Sequence, residues 1–364
     1  MTAATRRTEI LAAPDKFRGT LSAAGAAGAI ARGVAAAGRS ARQLPLADGG
    51  EGMLDVLGGL GGVVGTVEVT GPLGAPATAR WIRIGDRAVV EMAEASGLAL
   101  AGGAAGNDPL AATTRGTGEL IVAAARSLGP LAGPSSAGGG GLGGSATTDG
   151  GLGAVEAVEA AGGLGGVGLI GACDVEIGFV GAARQFGPQK GADEATVVLL
   201  VERLERLADR YRDRYGVDVR TVPGTGAAGG LGGGLVALGG RLQSGYEVVA
   251  GLLGFRQALD GCPLVVTGEG KLDDGSFAGK VVGSVVRDAR ARGVPVLVVA
   301  GTAEPGAVAT AEALGAVVVS LTDRFGAPRA LADAAGCVEE AVAGYLGAGP
   351  TSPPSPSPGP PLDR

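Results

Sequence analysis

The sequence predicts an α/β protein of two domains. Short β-branched runs such as Pro263–Val266 and Val294–Ala300, bounded by turn residues, read as buried parallel strands. The first of these leads through a glycine- and acid-rich loop into a segment of helical spacing. In Lys280–Gly293, Val282, Val285, Val286 and Ala289 share one helical face. The length, 364 residues, exceeds what one hydrophobic core usually organises.

Composition narrows the function. The net charge of −6 comes with no basic block, which excludes a nucleic-acid partner. The opening MTAATRRTEILAAPD has no apolar run suited to a signal peptide or a membrane span, so no membrane association and a cytoplasmic location are expected. Cys173, Cys262 and Cys337 are scattered and odd in number, which argues against structural disulfides and zinc sites. Histidine is absent. That removes Ser-His-Asp and Cys-His catalysis, and leaves a carboxylate, a lysine or a substrate group as proton acceptor near pH 7.

In chain order, Glu9–Ala13 reads as a strand ending in Pro14–Gly19, after which Thr20 or Ser22 caps an Ala-rich helix. Arg42–Leu46 leads to Ala47-Asp48-Gly49-Gly50-Glu51-Gly52 and a short helix from Met53 to Leu57, which Asp48 and Glu51 are placed to cap. From Thr66 the pattern becomes antiparallel: Val67, Val69, Trp81–Ile84 and Ala88–Met92, joined by turns, with a domain boundary near residue 65. Thr113–Gly118 caps a helix from Glu119 to Ser127. Residues 129–151 begin as low-complexity sequence with no strand expected. They end in Gly143-Gly144-Ser145-Ala146-Thr147-Thr148-Asp149-Gly150-Gly151, whose amides, hydroxyls and carboxylate suit a phosphate at the start of a helix from Ala154 to Ala161.

Gly168–Gly171 leads to Asp174. Lys190 stands just before a charged helix, Asp193–Tyr215, where a lysine reaching a phosphate would stand. Gly224, Gly226 and Gly229 spell GxGxxG. With no acidic residue closing a strand about 20 positions on, this reads as a helix N-terminus against a cleft before it reads as a dinucleotide site. The run Cys262–Lys280 is the most informative. Its strand is expected to break at Thr267–Gly270, leaving Glu269, Lys271, Asp273 and Asp274 in a loop suited to a Mg²⁺-bound phosphate. Acid-and-glycine loops after three strand-like runs argue for one shared cleft. Ala316–Leu321 is a further strand, Ala330–Leu346 a closing helix, and the Pro/Ser-rich Thr351–Arg364 a disordered tail.

The runs APDKFRGTLSA, LPLADGGEGM, VEMAEASGL, TTRGTGELI, GLGGSATTDGGLG, CDV, FGPQKGAD, PGTGAAGGLG, VVTGEGKLDDGSFAGKVVGSV and VSLTDRFG occur in the order and spacing of the bacterial type I glycerate kinases, also called glycerate 2-kinases. The chain resembles that family over roughly residues 9–346. The resemblance implies an ATP- and Mg²⁺-dependent kinase acting on D-glycerate, usually at the 2-hydroxyl. It implies a Rossmann-like parallel-sheet domain built from both chain ends (1–65 and 255–348), a second α/β domain inserted at 66–254, and a tail at 349–364. Three departures stand out: PSSAGGG where the family has an apolar strand, Glu176-Ile177-Gly178 after CDV, and Gly275-Ser276 in the GEG loop.

On this reading Asp48 is the favoured base and Asp174 the second choice, with Lys190 and Lys280 offsetting phosphate charge and Arg18 gripping the glycerate carboxylate. Gly143, Gly144, Ser145 and Thr147 cradle phosphate, Gly226 and Gly229 adjoin the nucleotide, and Glu269, Asp273 and Asp149 are the candidates for Mg²⁺. The rewritten loops at 134–141 and 176–180 support a rival, a non-catalytic nucleotide or hydroxy-acid binder of the same fold. A nicotinamide dehydrogenase comes third, on GxGxxG alone. The oligomeric state is open, with a homodimer one option.

Overall fold

A computed structural model describes residues 8–50, 52–59, 61–129 and 137–347. The tail expected at 349–364, the cap expected from Glu51 and the start of the rewritten stretch at 134–136 lie outside the described residues. In chain order the strands are β1 (Ile10–Ala12), β2 (Ala41–Gln43), β3 (Val63–Thr70), β4 (Pro76–Ile84), β5 (Arg87–Glu91), β6 (Ala137–Gly141), β7 (Gly168–Ala172), β8 (Arg241–Gln243), β9 (Val265–Leu272), β10 (Val296–Ala303) and β11 (Ala316–Ser320). They form two sheets, and the chain divides into two units: 1–45 with 257–278 and 282–364, and 46–256 with 279–281.

The first unit holds a five-stranded sheet in the order β11-β10-β9-β1-β2, parallel throughout. Ile10, Ala12, Val266, Leu297 and Val299 form one buried cluster with Ala26, Ile30 and Val34 of the helix Ala23–Ala36 and with Val338 and Val342 of the helix Ala334–Gly347. The residues of opposite parity, Leu11, Val265 and Val298, are equally buried. At these three strands, β1, β9 and β10, both faces are therefore covered, which is why they read as apolar runs. Ser22 caps the first helix by accepting from the Gly25 amide.

Two expectations for this unit need correction. The strand of the GEG run does not break at Thr267: β9 continues to Leu272, paired with β10 through Ala300↔Glu269 and Thr302↔Lys271. The neighbouring strand is equally long, so its ladder offsets the poor strand propensity of the glycines. The closing helix is two helices, Ala327–Ala332 and Ala334–Gly347. They part at Asp333, whose carboxylate accepts from the Gly336 amide.

The second unit holds a six-stranded mixed sheet, β3-β4-β5-β6-β7-β8, antiparallel across β3–β5 and parallel from β5 to β8. Its main core joins the sheet to the helix Arg115–Ser127 through Leu120, Ile121 and Val122, and a second cluster gathers Phe179, Leu204 and Tyr211 under the helix Glu194–Tyr215. The first crossing between units falls at Pro45/Leu46, ahead of the boundary read near residue 65. The helix Met53–Gly58 packs on β4 and β5, so it belongs with the antiparallel strands rather than with β2.

The low-complexity stretch also departs from expectation. Ala137–Gly141 is β6, paired on both sides, Glu91↔Gly141 and Gly141↔Ala172. A side chain at Gly141 would come within 2.5 Å of the Gly49 carbonyl, so this strand's end needs a glycine where the Asp48 turn crosses it. The other rewritten stretch also contributes to the fold. Phe179 is fully buried and the Ile177 carbonyl accepts from the Gly226 amide.

Candidate active site

In the second unit, Asp48 and Asp174 follow from where parallel strands end. Asp48 sits in a turn closed by its own Oδ1, which accepts from the Gly50 amide at 3.1 Å. The next residue, Gly49, has φ +81, and a side chain there would meet Gly245 Cα at 2.9 Å and the Ala172 carbonyl at 3.1 Å. Only glycine tolerates both that backbone and that proximity. The turn therefore lies against the carboxyl ends of β6 and β7, the edge at which open α/β sheets bind ligands.

Asp174 lies two residues beyond β7. Its Oδ1 accepts from Ser244 Oγ and from the Gly245 amide, each at 2.9 Å. Its Oδ2 is buried and has no hydrogen-bond partner. Burial pushes the carboxyl from 3.8 up to about 6, and the Asp48 charge adds to the rise. The bonds from Ser244 and Gly245 and the charge of Lys280, which belongs to this unit, oppose it. So one oxygen is fixed, the other is unsatisfied, and the group titrates close to neutrality. That is the pattern of a proton acceptor poised for work.

A second construction surrounds the loop Gly143–Gly151. Lys190 is 2% exposed, and its Nζ donates to Ser145 Oγ at 2.7 Å and to the Thr147 carbonyl at 2.6 Å. Burial pulls its ammonium down to about 7, partly offset by the charge of Asp149. It is a strut beneath the loop, at the position read from sequence as a lysine reaching a phosphate. Asp149 also departs from its expected role as a metal ligand. Its carboxylate accepts from the Thr114 amide and hydroxyl and from the Gly151 and Gly153 amides, so its oxygens are committed to capping the helix Leu152–Ala160. That helix start is filled from inside and offers little to a phosphate. The buried hydroxyls of Thr147 and Thr148 have no partner, and these, with Gly143 and the exposed Gly144, are the groups the loop can offer an anion.

The GxGxxG glycines are explained by packing. A side chain on Gly229, at φ +67, would strike the Thr147 carbonyl at 1.8 Å, and one on Gly226 would lie 2.5 Å from the Gly178 carbonyl. They let the start of the helix Ala227–Ala237 close against the Thr147 loop and against residues 177–178.

One buried carboxylate that shapes the Asp48 turn was missed. Glu91, at the end of β5, is buried, and its two oxygens accept from the Gly52 and Leu54 amides. It thereby caps the helix Met53–Gly58 that follows the Asp48 turn, a role expected of Asp48 and Glu51. Desolvation raises its carboxyl above the usual range. An acid ending an otherwise apolar strand is the signal that would have found it.

In the first unit, Arg18 is exposed beyond β1, and the backbone of Phe17–Arg18 crosses Gly270 of β9 so closely that a side chain there would meet the Arg18 amide at 3.0 Å. Asp15 joins the same strand, donating its amide to the Gly268 carbonyl. Glu269 and Lys271 therefore lie on a strand, with Asp273 in the turn after it. Lys271 bonds Glu304 at 2.7 Å and approaches Asp273 at 3.5 Å. Among the described residues no three acids, cysteines or histidines cluster as a ready-made metal cage. Asp273 is a hard oxygen donor of the kind Mg²⁺ takes, with its carboxylate also capping its own turn and facing Lys271 at 3.5 Å.

Strand-end carboxylates, a strutted hydroxyl-rich loop and no histidine define the equipment of a phosphotransferase. Comparison with known proteins gives the family. The model of the glycerate kinase family matches residues 10–162 and 162–346. The glycerate 2-kinase of Escherichia coli (strain K12) is 40% identical over 333 residues, covering 81% of this chain and 85% of its own. An uncharacterised protein of Mycobacterium bovis is also 40% identical, over 90% of this chain and 87% of its own. The crystal structure of a protein described as glycerate kinase 2 from Salmonella typhimurium LT2 superposes with a TM-score of 0.76 at 33% identity, covering 94% of this chain and 98% of that one. The chain belongs to the glycerate kinase family.

Proposed function

We propose that the protein transfers the γ-phosphoryl group of ATP to a hydroxyl of D-glycerate, with the 2-hydroxyl favoured, and that Asp174 is the base. The observation that carries this reading is the state of Asp174: one oxygen locked by Ser244 and Gly245, the other buried and unpartnered beside Asp48. The order of preference between the two aspartates is thus reversed from the sequence reading. Asp48 has one oxygen engaged in its own turn, and its charge helps keep Asp174 basic.

In the reaction the glycerate hydroxyl presents its proton to Asp174 Oδ2. As the hydroxyl oxygen bonds to phosphorus, the bond from phosphorus to the ADP oxygen breaks and the proton passes to the carboxylate. Phosphoryl transfer asks chiefly for positioning and charge neutralisation. Lys280 supplies positive charge near Asp174, and the Thr147 and Thr148 hydroxyls supply donors for phosphate oxygens. Arg18, exposed beyond β1, is a cation of the kind that pairs with a carboxylate. Mg²⁺, held through Asp273 with Glu269 as the further candidate, would neutralise phosphate charge.

Replacing the two aspartates in turn tests the assignment. Asp174→Asn should lower kcat with D-glycerate by about 10²- to 10⁴-fold. Asp48→Asn should cost less and should lower the pH midpoint of activity, because it removes the charge that raises Asp174. A larger kcat loss for Asp48→Asn than for Asp174→Asn would return the base to Asp48.

A further inference from the structure

Ser145–Thr147 is gripped from two sides. On one side it pairs with the chain at Ser96–Leu98: the Ala146 amide donates to the Ser96 carbonyl and the Leu98 amide to the Gly144 carbonyl. On the other, Asn107 Nδ2 donates to the Ala146 carbonyl at 3.0 Å and to the Lys190 carbonyl at 2.9 Å, while Lys190 Nζ reaches Ser145 and Thr147. Asn107 thus ties the loop to the turn that carries the lysine strut. Both neighbours of its amide nitrogen are carbonyls, which fixes the orientation of the side chain. Its Oδ1 is buried without a partner, so the residue carries an unsatisfied acceptor while bridging the two carbonyls.

We propose that Asn107 is a positioning residue for phosphoryl transfer: with Lys190 it forms a clasp that holds Ser145–Thr147 in the shape that receives the nucleotide's phosphates. This rests on the kinase reading above. Asn107 reaches no substrate in this scheme. It acts through the loop, and sub-ångström placement is where such an effect is felt. The substitution Asn107→Asp is nearly isosteric, yet it places a carboxylate oxygen against two carbonyl oxygens and so opposes the clasp. Asn107→Ala only removes it.

The test uses the full chain. KM for Mg-ATP, KM for D-glycerate and kcat are measured for both variants, with Mg-ADP binding by calorimetry and thermal melts to establish folding. Asn107→Asp should lower kcat/KM for Mg-ATP by about tenfold or more and weaken Mg-ADP binding in proportion, with KM for D-glycerate within about twofold. Asn107→Ala should fall between it and the native protein, and carries the test if Asn107→Asp does not fold. A folded Asn107→Asp with native Mg-ATP parameters overturns the proposal. So does a loss confined to D-glycerate, or a general loss that tracks the melting temperature in both variants. If the native protein binds Mg-ADP but does not turn over glycerate, the kinase reading fails while the binding arm still decides the clasp. If it binds no Mg-ADP, both fail.

Discussion

At Asp174 the balance between burial and bonding sets both chemistry and stability. Desolvation outweighs the two hydrogen bonds on Oδ1, so the folded carboxyl titrates near 6 against 3.8 when unfolded. Its folded affinity for a proton is the higher one. The stability this confers is therefore fully present below about pH 3.8 and is lost as the pH rises through 6, where folding must bury a charge. Asp174→Asn should then stabilise the protein at pH 8 relative to pH 4, by about 1–3 kcal/mol, read as the difference between urea unfolding curves at the two pH values. Activity runs the other way, since the base works when ionised: kcat/KM for glycerate should fall about tenfold per pH unit below the midpoint near 6. A flat profile between pH 5 and 7 would contradict the assignment. Little of this environment was legible in sequence. The CDV run marked Asp174, but Ser244 lies 70 residues away. Lys190 was legible as a lysine before a helix but not as a buried one, because lysines are rarely buried and nothing in FGPQKGAD reveals that Ser145 and Thr147 close over it.

Among the elements, legibility followed periodicity. The buried strand β10, the apolar start of β9 and the helix face of Val282, Val285 and Val286 read directly, because burial on both faces or on one stripe leaves a pattern in the residues. β6 did not, because a strand of Ala and four glycines has no side-chain pattern; its place is set by its neighbours on both sides. The same limit applied to GxGxxG, where glycine spacing suggested a ligand and the structure shows two backbones in contact. Gly229 measures this. Its φ is +67, and the Thr147 carbonyl lies 1.8 Å from where an alanine methyl would stand. Gly229→Ala should therefore destabilise the protein by at least about 2 kcal/mol, seen as a lowered urea midpoint with unchanged slope. A midpoint equal to the native one would show that the loop yields freely.

On the scale of the whole molecule, the chain's two ends build one sheet and the middle another. The return to parallel strands late in the chain was visible as apolar runs. The crossing at Pro45/Leu46 was not, since it depends on which sheet the helix Met53–Gly58 packs against. Among the described residues no helix is long and apolar enough to cross a membrane. Family membership and the acid pair of the second unit point to one reaction, and its product is the most direct test. Purified protein should be mixed with Mg-ATP and D-glycerate, with L-glycerate as control, while ADP release is followed and the product is identified by phosphorus NMR. D-glycerate-dependent ADP release with 2-phosphoglycerate as the single product is the predicted result. Folded protein that binds Mg-ADP yet forms no phosphoglycerate would contradict it.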